Sequence, residues 1–85
     1  MTTTIDREEL RTLVATTLDI DVTEVTDTAS FTDELDVDSL MALEVMVVLE
    51  RRFQVKLDEH RLAEITSLLS AERLLREALE AGAAR

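Results

Sequence analysis

The chain contains no proline, and its only glycine is Gly82, close to the end of 85 residues. Strands joined by tight turns depend on residues that reach positive φ or preset a bend. A turn-rich β fold is therefore disfavoured, while the abundant Ala, Leu, Glu and Arg favour helix. The prediction is an all-α chain. Its length fits one domain over residues 1–85. Such a chain buries only about 60% of its unfolded surface, too little for both a full core and a deep, dry catalytic cavity.

Four helices are predicted. The first runs from about Arg7 to Leu18, with Asp6 as N-cap, Glu9 completing a capping box and Ile5 stapled to Leu10. Leu10, Leu13, Val14, Thr17 and Leu18 form its apolar stripe. Residues 19–37 lose that period and predict a long, mostly irregular connection, pinned to the core by Phe31 and Leu35. The second helix starts after Asp38 and ends near Phe53. A short third helix spans Glu59 to Glu64 behind Asp58. The fourth runs from about Ser67 to Ala81, with Thr66 as cap and Gly82 as stop signal, and the tail from Ala81 frays. Leu68, Ala71, Leu74, Leu75 and Ala78 face inward. The expected architecture is an antiparallel four-helix bundle with a long first loop and a short third helix.

Several chemistries lack the residues they need. Cysteine is absent, which removes disulfides, thiolate metal sites and a cysteine nucleophile. A single histidine, His60, rules out a multi-histidine metal site. No apolar run approaches the ~18 residues of a membrane span, and the start lacks the basic-then-apolar order of a signal peptide, so the expected compartment is the cytoplasm. With a net charge of -10 and two aromatic residues, Phe31 and Phe53, nucleic acid is a poor partner.

That charge is concentrated. No Lys or Arg stands between Arg11 and Arg51, an interval rich in Asp and Glu from Asp19 to Glu50. A contiguous negative field of this kind steers a basic partner; solubility alone also accounts for it.

The second helix is the informative element. At ~100° per residue, Ala42, Val45, Met46, Leu49 and Phe53 share one stripe, which is the core face. A second apolar set, Leu40, Leu43 and Val47, lies on the other side beside Glu44, Glu50 and Arg51. Two readings fit: a partner-docking surface with a charged rim, or a central helix buried all round. Ser39 opens this helix. Backbone N–H groups and the helix dipole there favour a negative group on its hydroxyl, such as a phosphodiester, though serine is also an ordinary first-turn residue. Asp38 is the N-cap candidate and a group that could help hold a divalent cation during phosphate delivery.

Taken together, Phe31-Thr32-Asp33-Glu34-Leu35-Asp36-Val37-Asp38-Ser39-Leu40 resembles the attachment-site signature of acyl carrier proteins. The run Met41-Ala42-Leu43-Glu44-Val45, then Leu49-Glu50 and Phe53, is similar to that family's second helix, and Ile65-Thr66-Ser67-Leu68 to the entry into its last. The resemblance implies that Ser39 receives 4'-phosphopantetheine from coenzyme A, that Asp38 assists as its motif neighbour, and that Leu40, Glu44, Val47 and Arg51 meet partner proteins. It implies a carrier with no catalytic residues and no resident metal. Cargo travels as thioesters on the arm, which explains thioester chemistry in a chain without cysteine. The implied partners of this monomer are a phosphopantetheinyl transferase, an acyltransferase, an acyl- or aminoacyl-loading ligase and a ketosynthase. Two departures stand out: Asp36 where the family usually has glycine, and Arg51-Arg52 where fatty-acid carriers are often acidic. The second leans the expectation away from a general fatty-acid role, and the Met41-Ala42-Leu43-Glu44-Val45 run resembles discrete carriers of bacterial polyketide or mixed polyketide–amino acid biosynthesis, with a fatty-acid-synthase or peptidyl carrier as the alternative.

Other constellations are weaker. Asp19-Ile20-Asp21 opens like a calcium loop, but Glu24 and Ser30 occupy the positions that need Gly and Glu. A hydrolytic Ser39–His60–Asp triad lacks a nucleophile elbow, and His60 reads as a surface residue. Glu72, Arg73, Arg76, Glu77 and Glu80 read as a solvated face with pairs such as Glu72–Arg76. Outside the carrier class, an unmodified acidic docking module remains the rival.

Overall fold

The computed structural model describes residues 5–81. It contains three α-helices, α1 (Arg7–Leu18), α2 (Ser39–Phe53) and α3 (Leu68–Glu80), with 3-10 helices at Val22–Glu24 and Glu59–Glu64 and no strand among the described residues. The short third helix is thus 3-10 in type, with Asp58 Oδ1 accepting from the His60 N–H at 2.8 Å. Helix α1 runs antiparallel to α2: Glu9, near the start of α1, pairs with Arg52, near the end of α2, while Thr17 at the other end lines one groove with Leu43. No helix among the described residues is long and apolar enough to cross a membrane.

The helix ends show how side chains replace absent glycine and proline. Asp6 Oδ1 accepts from the N–H groups of Glu8 (3.0 Å) and Glu9 (3.4 Å). The expected capping box at α1 is not closed, because the Glu9 carboxylate turns to Arg52 instead. Both α1 and α2 end on left-handed residues, Asp19 (φ 59°) and Gln54 (φ 56°), where glycine is the unstrained choice. The cap of α3 is Ser67, not Thr66. Ser67 and Ser70 exchange hydroxyl-to-backbone bonds at 3.3 and 2.9 Å, so the helix begins at Leu68. The Thr66 carbonyl is occupied elsewhere, accepting from the Phe31 N–H at 2.9 Å. At the far end the Ala81 N–H still bonds to Glu77 O at 2.9 Å, which closes the last turn rather than fraying it; Gly82 and the rest of the tail lie outside the described residues.

One core joins the three α-helices through Leu10, Val14, Val45, Leu49, Leu68 and Leu75. Helix α1 also buries Ala15, while Leu13 and Thr17 of the expected stripe are half-buried. Phe53 of α2 and Ala78 of α3 likewise sit at the core margin. The long first loop is more anchored than its composition suggests. Phe31 is buried, Leu35 only partly so, and Val25, Ala29 and Val37 are additional buried anchors. Inside it, Asp21 and Glu24 close a capping box around the Val22–Glu24 turn.

The face of α3 read as solvated is not uniform. Glu72 is 4% exposed, and its two oxygens accept from Arg7 Nε and Arg76, each at 2.7 Å. Arg7 also reaches Asp27 (3.3 Å), which binds Arg11 at 2.6 Å. The network ties α1 and α3 to the first loop. Burial pushes the Glu72 carboxyl up, but the hydrogen bonds and charges of Arg7 and Arg76 outweigh it and hold it below the usual carboxylate range. The Arg11 hydrogen bond does the same for Asp27. Carboxyls depressed on folding add stability that is complete above their unfolded pKa and lost as pH falls through the folded one. Glu72→Gln is therefore expected to cost about 1–2 kcal/mol at neutral pH, discounted because both arginines are nearly half exposed. The gap from wild type should narrow below about pH 4. Thermal melts at neutral and acid pH check this; a gap that persists in acid would mean the cost is one of packing.

Candidate functional site

The segment before α2 is built to hold one side chain outward. Val37 is 5% exposed, and its N–H donates to the Phe31 carbonyl at 2.8 Å. Phe31 is itself buried, so the chain is clamped two residues ahead of the helix. Asp38 then caps α2: its Oδ1 accepts from the Met41 N–H at 2.9 Å, and its carbonyl from Ala42 at 2.9 Å. Ser39 is the first residue of α2, and Ser39 and Leu40 are both exposed. The first turn of α2 carries no acid, unlike that of α1, which holds Glu8 and Glu9. At the positive end of the helix dipole the Asp38 carboxylate is thus the only acid, with Ser39 exposed beside it.

Getting from the Phe31 clamp to Ser39 requires a left-handed residue, Asp36 at φ 60°. Asp tolerates this region better than most residues, but glycine enters it without a Cβ penalty. Asp36→Gly is expected to raise stability by up to about 1 kcal/mol, read as a higher urea midpoint. A lower midpoint would mean that the carboxylate itself contributes to the fold.

Ser39 opens onto a cleft of about 630 Å³ between the start of α2 and the 59–64 3-10 helix. Val37, Leu62, Ala63 and Ile65 give it apolar wall, and Asp38, Glu59 and His60 a polar rim. The cleft suits an extended, amphipathic group tethered at the serine. It does not suit hydrolysis. Among the described residues Ser39 Oγ has no hydrogen bond to a base, and His60 Nδ1 instead lies 3.0 Å from Asp58 Oδ1 on a side chain that is 96% exposed. The Asp58 carboxyl is held below its usual range by the His60 backbone N–H and then by the ring. Asp38 stands without metal-binding company, since no cluster of three or more His, Cys, Asp or Glu suited to an ion occurs among the described residues.

Of the two readings of α2, burial all round is excluded by exposure. Leu40 is 66% exposed, Glu44 and Arg51 are exposed, and Leu43 and Val47 are half-buried. Leu43, Val47 and Val48 also form, with Thr17 and Glu44, a shallow apolar groove of about 410 Å³ along α1. Val48 and Thr17 were not singled out from the sequence as groove residues. Thr17 is at the edge of a helical stripe whose destination is visible only once α1 packs on α2.

Comparison with known proteins points the same way. Residues 8–75 match the family model described as the phosphopantetheine attachment site. The chain is 57% identical over 74 residues to polyketide-8 synthase acyl carrier protein 2 of Streptomyces avermitilis, covering 87% of this chain and 85% of that one. Polyketide-8 synthase acyl carrier protein 1 of the same organism is 38% identical over 71 residues, 80% of this chain and 84% of its own. An acyl carrier protein of Petrotoga mobilis is 38% identical over 72 residues, 85% of each chain.

Proposed function

Because the chain belongs to the acyl carrier protein family, we propose that Ser39 Oγ is the atom that bears its 4'-phosphopantetheine and that the cargo is a polyketide intermediate. The protein is a carrier, and catalysis resides in the enzymes it visits. When bound, the prosthetic group supplies a terminal thiol on which acyl groups are held as thioesters. The chain's own residues do the rest. Phe31 and Val37 hold the loop rigid, Asp38 caps α2, and Ser39 is left outward at the dipole's positive end, where a phosphodiester is stabilised. With Oδ1 committed to the cap, the second oxygen of Asp38 is the one free to meet a magnesium ion during attachment, the remaining ligands coming from the visiting transferase and coenzyme A.

The single observation that carries this reading is the exposed Ser39 at the mouth of the cleft. The apolar wall beneath it shelters the arm or a short cargo, and the exposed Leu40 and Glu44, with the half-buried Val47 beside them, meet partner proteins. Those partners are the phosphopantetheinyl transferase, an acyltransferase or acyl- or aminoacyl-loading ligase, and a ketosynthase, reached by the chain as a monomer in the cytoplasm. Polyketide cargo is favoured by the name of the relative from Streptomyces avermitilis. Intact mass after incubation with coenzyme A and a broad-specificity transferase tests attachment, and fragmentation locates it. Modification at any residue other than Ser39 rejects the assignment; ketosynthase extension of a malonyl-loaded chain tests the cargo.

A further inference from the structure

The cleft at Ser39 is poor in positive charge. None of its lining residues is Lys or Arg, while Asp38 and Glu59 are acidic. His60 is the one lining side chain that can become a cation. The next residue, Arg61, is committed elsewhere, to Glu64 and Glu77 at 2.8 Å each. His60 is also oriented. Asp58 Oδ1 accepts from its backbone N–H at 2.8 Å and lies 3.0 Å from ring Nδ1. An ionised carboxylate only accepts, so Nδ1 carries the proton in this contact. Nε2 makes no hydrogen bond among the described residues. In the neutral ring that atom is an acceptor, with nothing to offer a phosphate oxygen. In the imidazolium it becomes a charged donor.

We infer that protonated His60 holds the phosphodiester of the arm through Nε2–H, drawing the base of the arm over the cleft, and that loss of the proton releases it. The inference rests on Ser39 as the attachment residue and adds the side chain that meets the charge placed there. The charged groups around the ring are Asp58 and Glu59 on its own element, Asp38 across the cleft, and Arg61, whose charge is met by Glu64 and by Glu77 of α3. All of them are present with or without the arm. The phosphodiester is the one charge that attachment adds beside Ser39, so a comparison of apo and holo protein isolates its effect on the ring.

The test follows the His60 ring protons and the phosphorus signal of the arm by NMR. It uses untagged apo and holo protein of verified mass, without divalent cations, at ~50 mM salt. His60 is the only histidine, so its ring signals identify themselves. The holo titration midpoint is expected at least about half a pH unit above the apo one, because an adjacent anion favours the imidazolium. A phosphodiester has no proton of its own to lose between about pH 5.5 and 8, so its phosphorus signal should follow the His60 midpoint in wild type and stay flat in His60→Gln. Overhauser contacts between the ring and the methylene beside the phosphate should be present at the acid end of that range and absent at the other. Equal midpoints in apo and holo protein, or a phosphorus signal that moves as far in His60→Gln, overturn the inference. A raised midpoint without the Overhauser contacts overturns it too, because a field acting at a distance then suffices. Failure of the wild type to gain mass at Ser39 instead removes the attachment reading on which it stands.

Discussion

Ser39→Ala is expected to abolish loading while leaving the fold intact. The first half follows from chemistry: alanine has no oxygen to form the phosphodiester. The second half follows from the structure. The N-cap of α2 is Asp38, not Ser39, and the Ser39 side chain is exposed and makes no hydrogen bond among the described residues. Alanine is also a favourable helix residue. The melting temperature should therefore move by no more than about 4 °C, since exposed substitutions lie within about 0.5 kcal/mol. Intact mass after treatment with coenzyme A and transferase should show one added group on wild type and none on the variant. A variant that gains mass equally places the attachment elsewhere; one that melts much lower shows that the hydroxyl has a structural role. Asp38→Ala is the complementary case, because it removes the cap and should cost about 1 kcal/mol.

The largest effect on stability is expected from Phe31→Ala. Phe31 is 1% exposed and is the largest fully buried side chain. Its backbone is held on both sides, the N–H by Thr66 and the carbonyl by Val37, so the loop cannot readily follow a shrinking side chain. Truncation of a buried phenylalanine costs about 3–5 kcal/mol, lost transfer energy plus the cavity that remains. Small domains sit near the lower end of the 5–15 kcal/mol range, so the variant should be close to unfolded at growth temperature. A fall of roughly 15–30 °C in melting temperature is the corresponding signal by circular dichroism. Phe31→Leu should recover most of it. A fall below about 5 °C would show that the pocket collapses around alanine, and that Phe31 does not clamp the approach to Ser39.

Legibility along the chain followed the range of the physical signal. Helix starts marked by a single polar residue were readable, because a cap acts within three residues: Asp6, Asp38 and Asp58 each accept from a backbone N–H just ahead. At the last helix the expected cap, Thr66, is one residue early, and Ser67 is the cap. The choice was made by Ser70 reaching back and by Phe31 claiming the Thr66 carbonyl. The Val22–Glu24 turn was too short for a periodic pattern, yet Asp21 and Glu24 have capping-box spacing, a signal available and not used. Glu72 was misplaced for a different reason. Its helical neighbours suggested a solvated face, and the arginine that covers it, Arg7, stands 65 residues away.

By itself the sequence determined the helical class, the local starts of the helices, the apolar stripes and the signature around Ser39, all set by interactions between residues within a turn or two of each other. Only the tertiary structure decided that Ser39 opens onto a cleft, that Glu72 is enclosed by Arg7 and Arg76, and that Glu9 and Arg52 are spent on each other. Those outcomes depend on which surfaces meet when the helices pack. Burial and ion pairing arise from neighbours in space, and the chain's order does not state who they are.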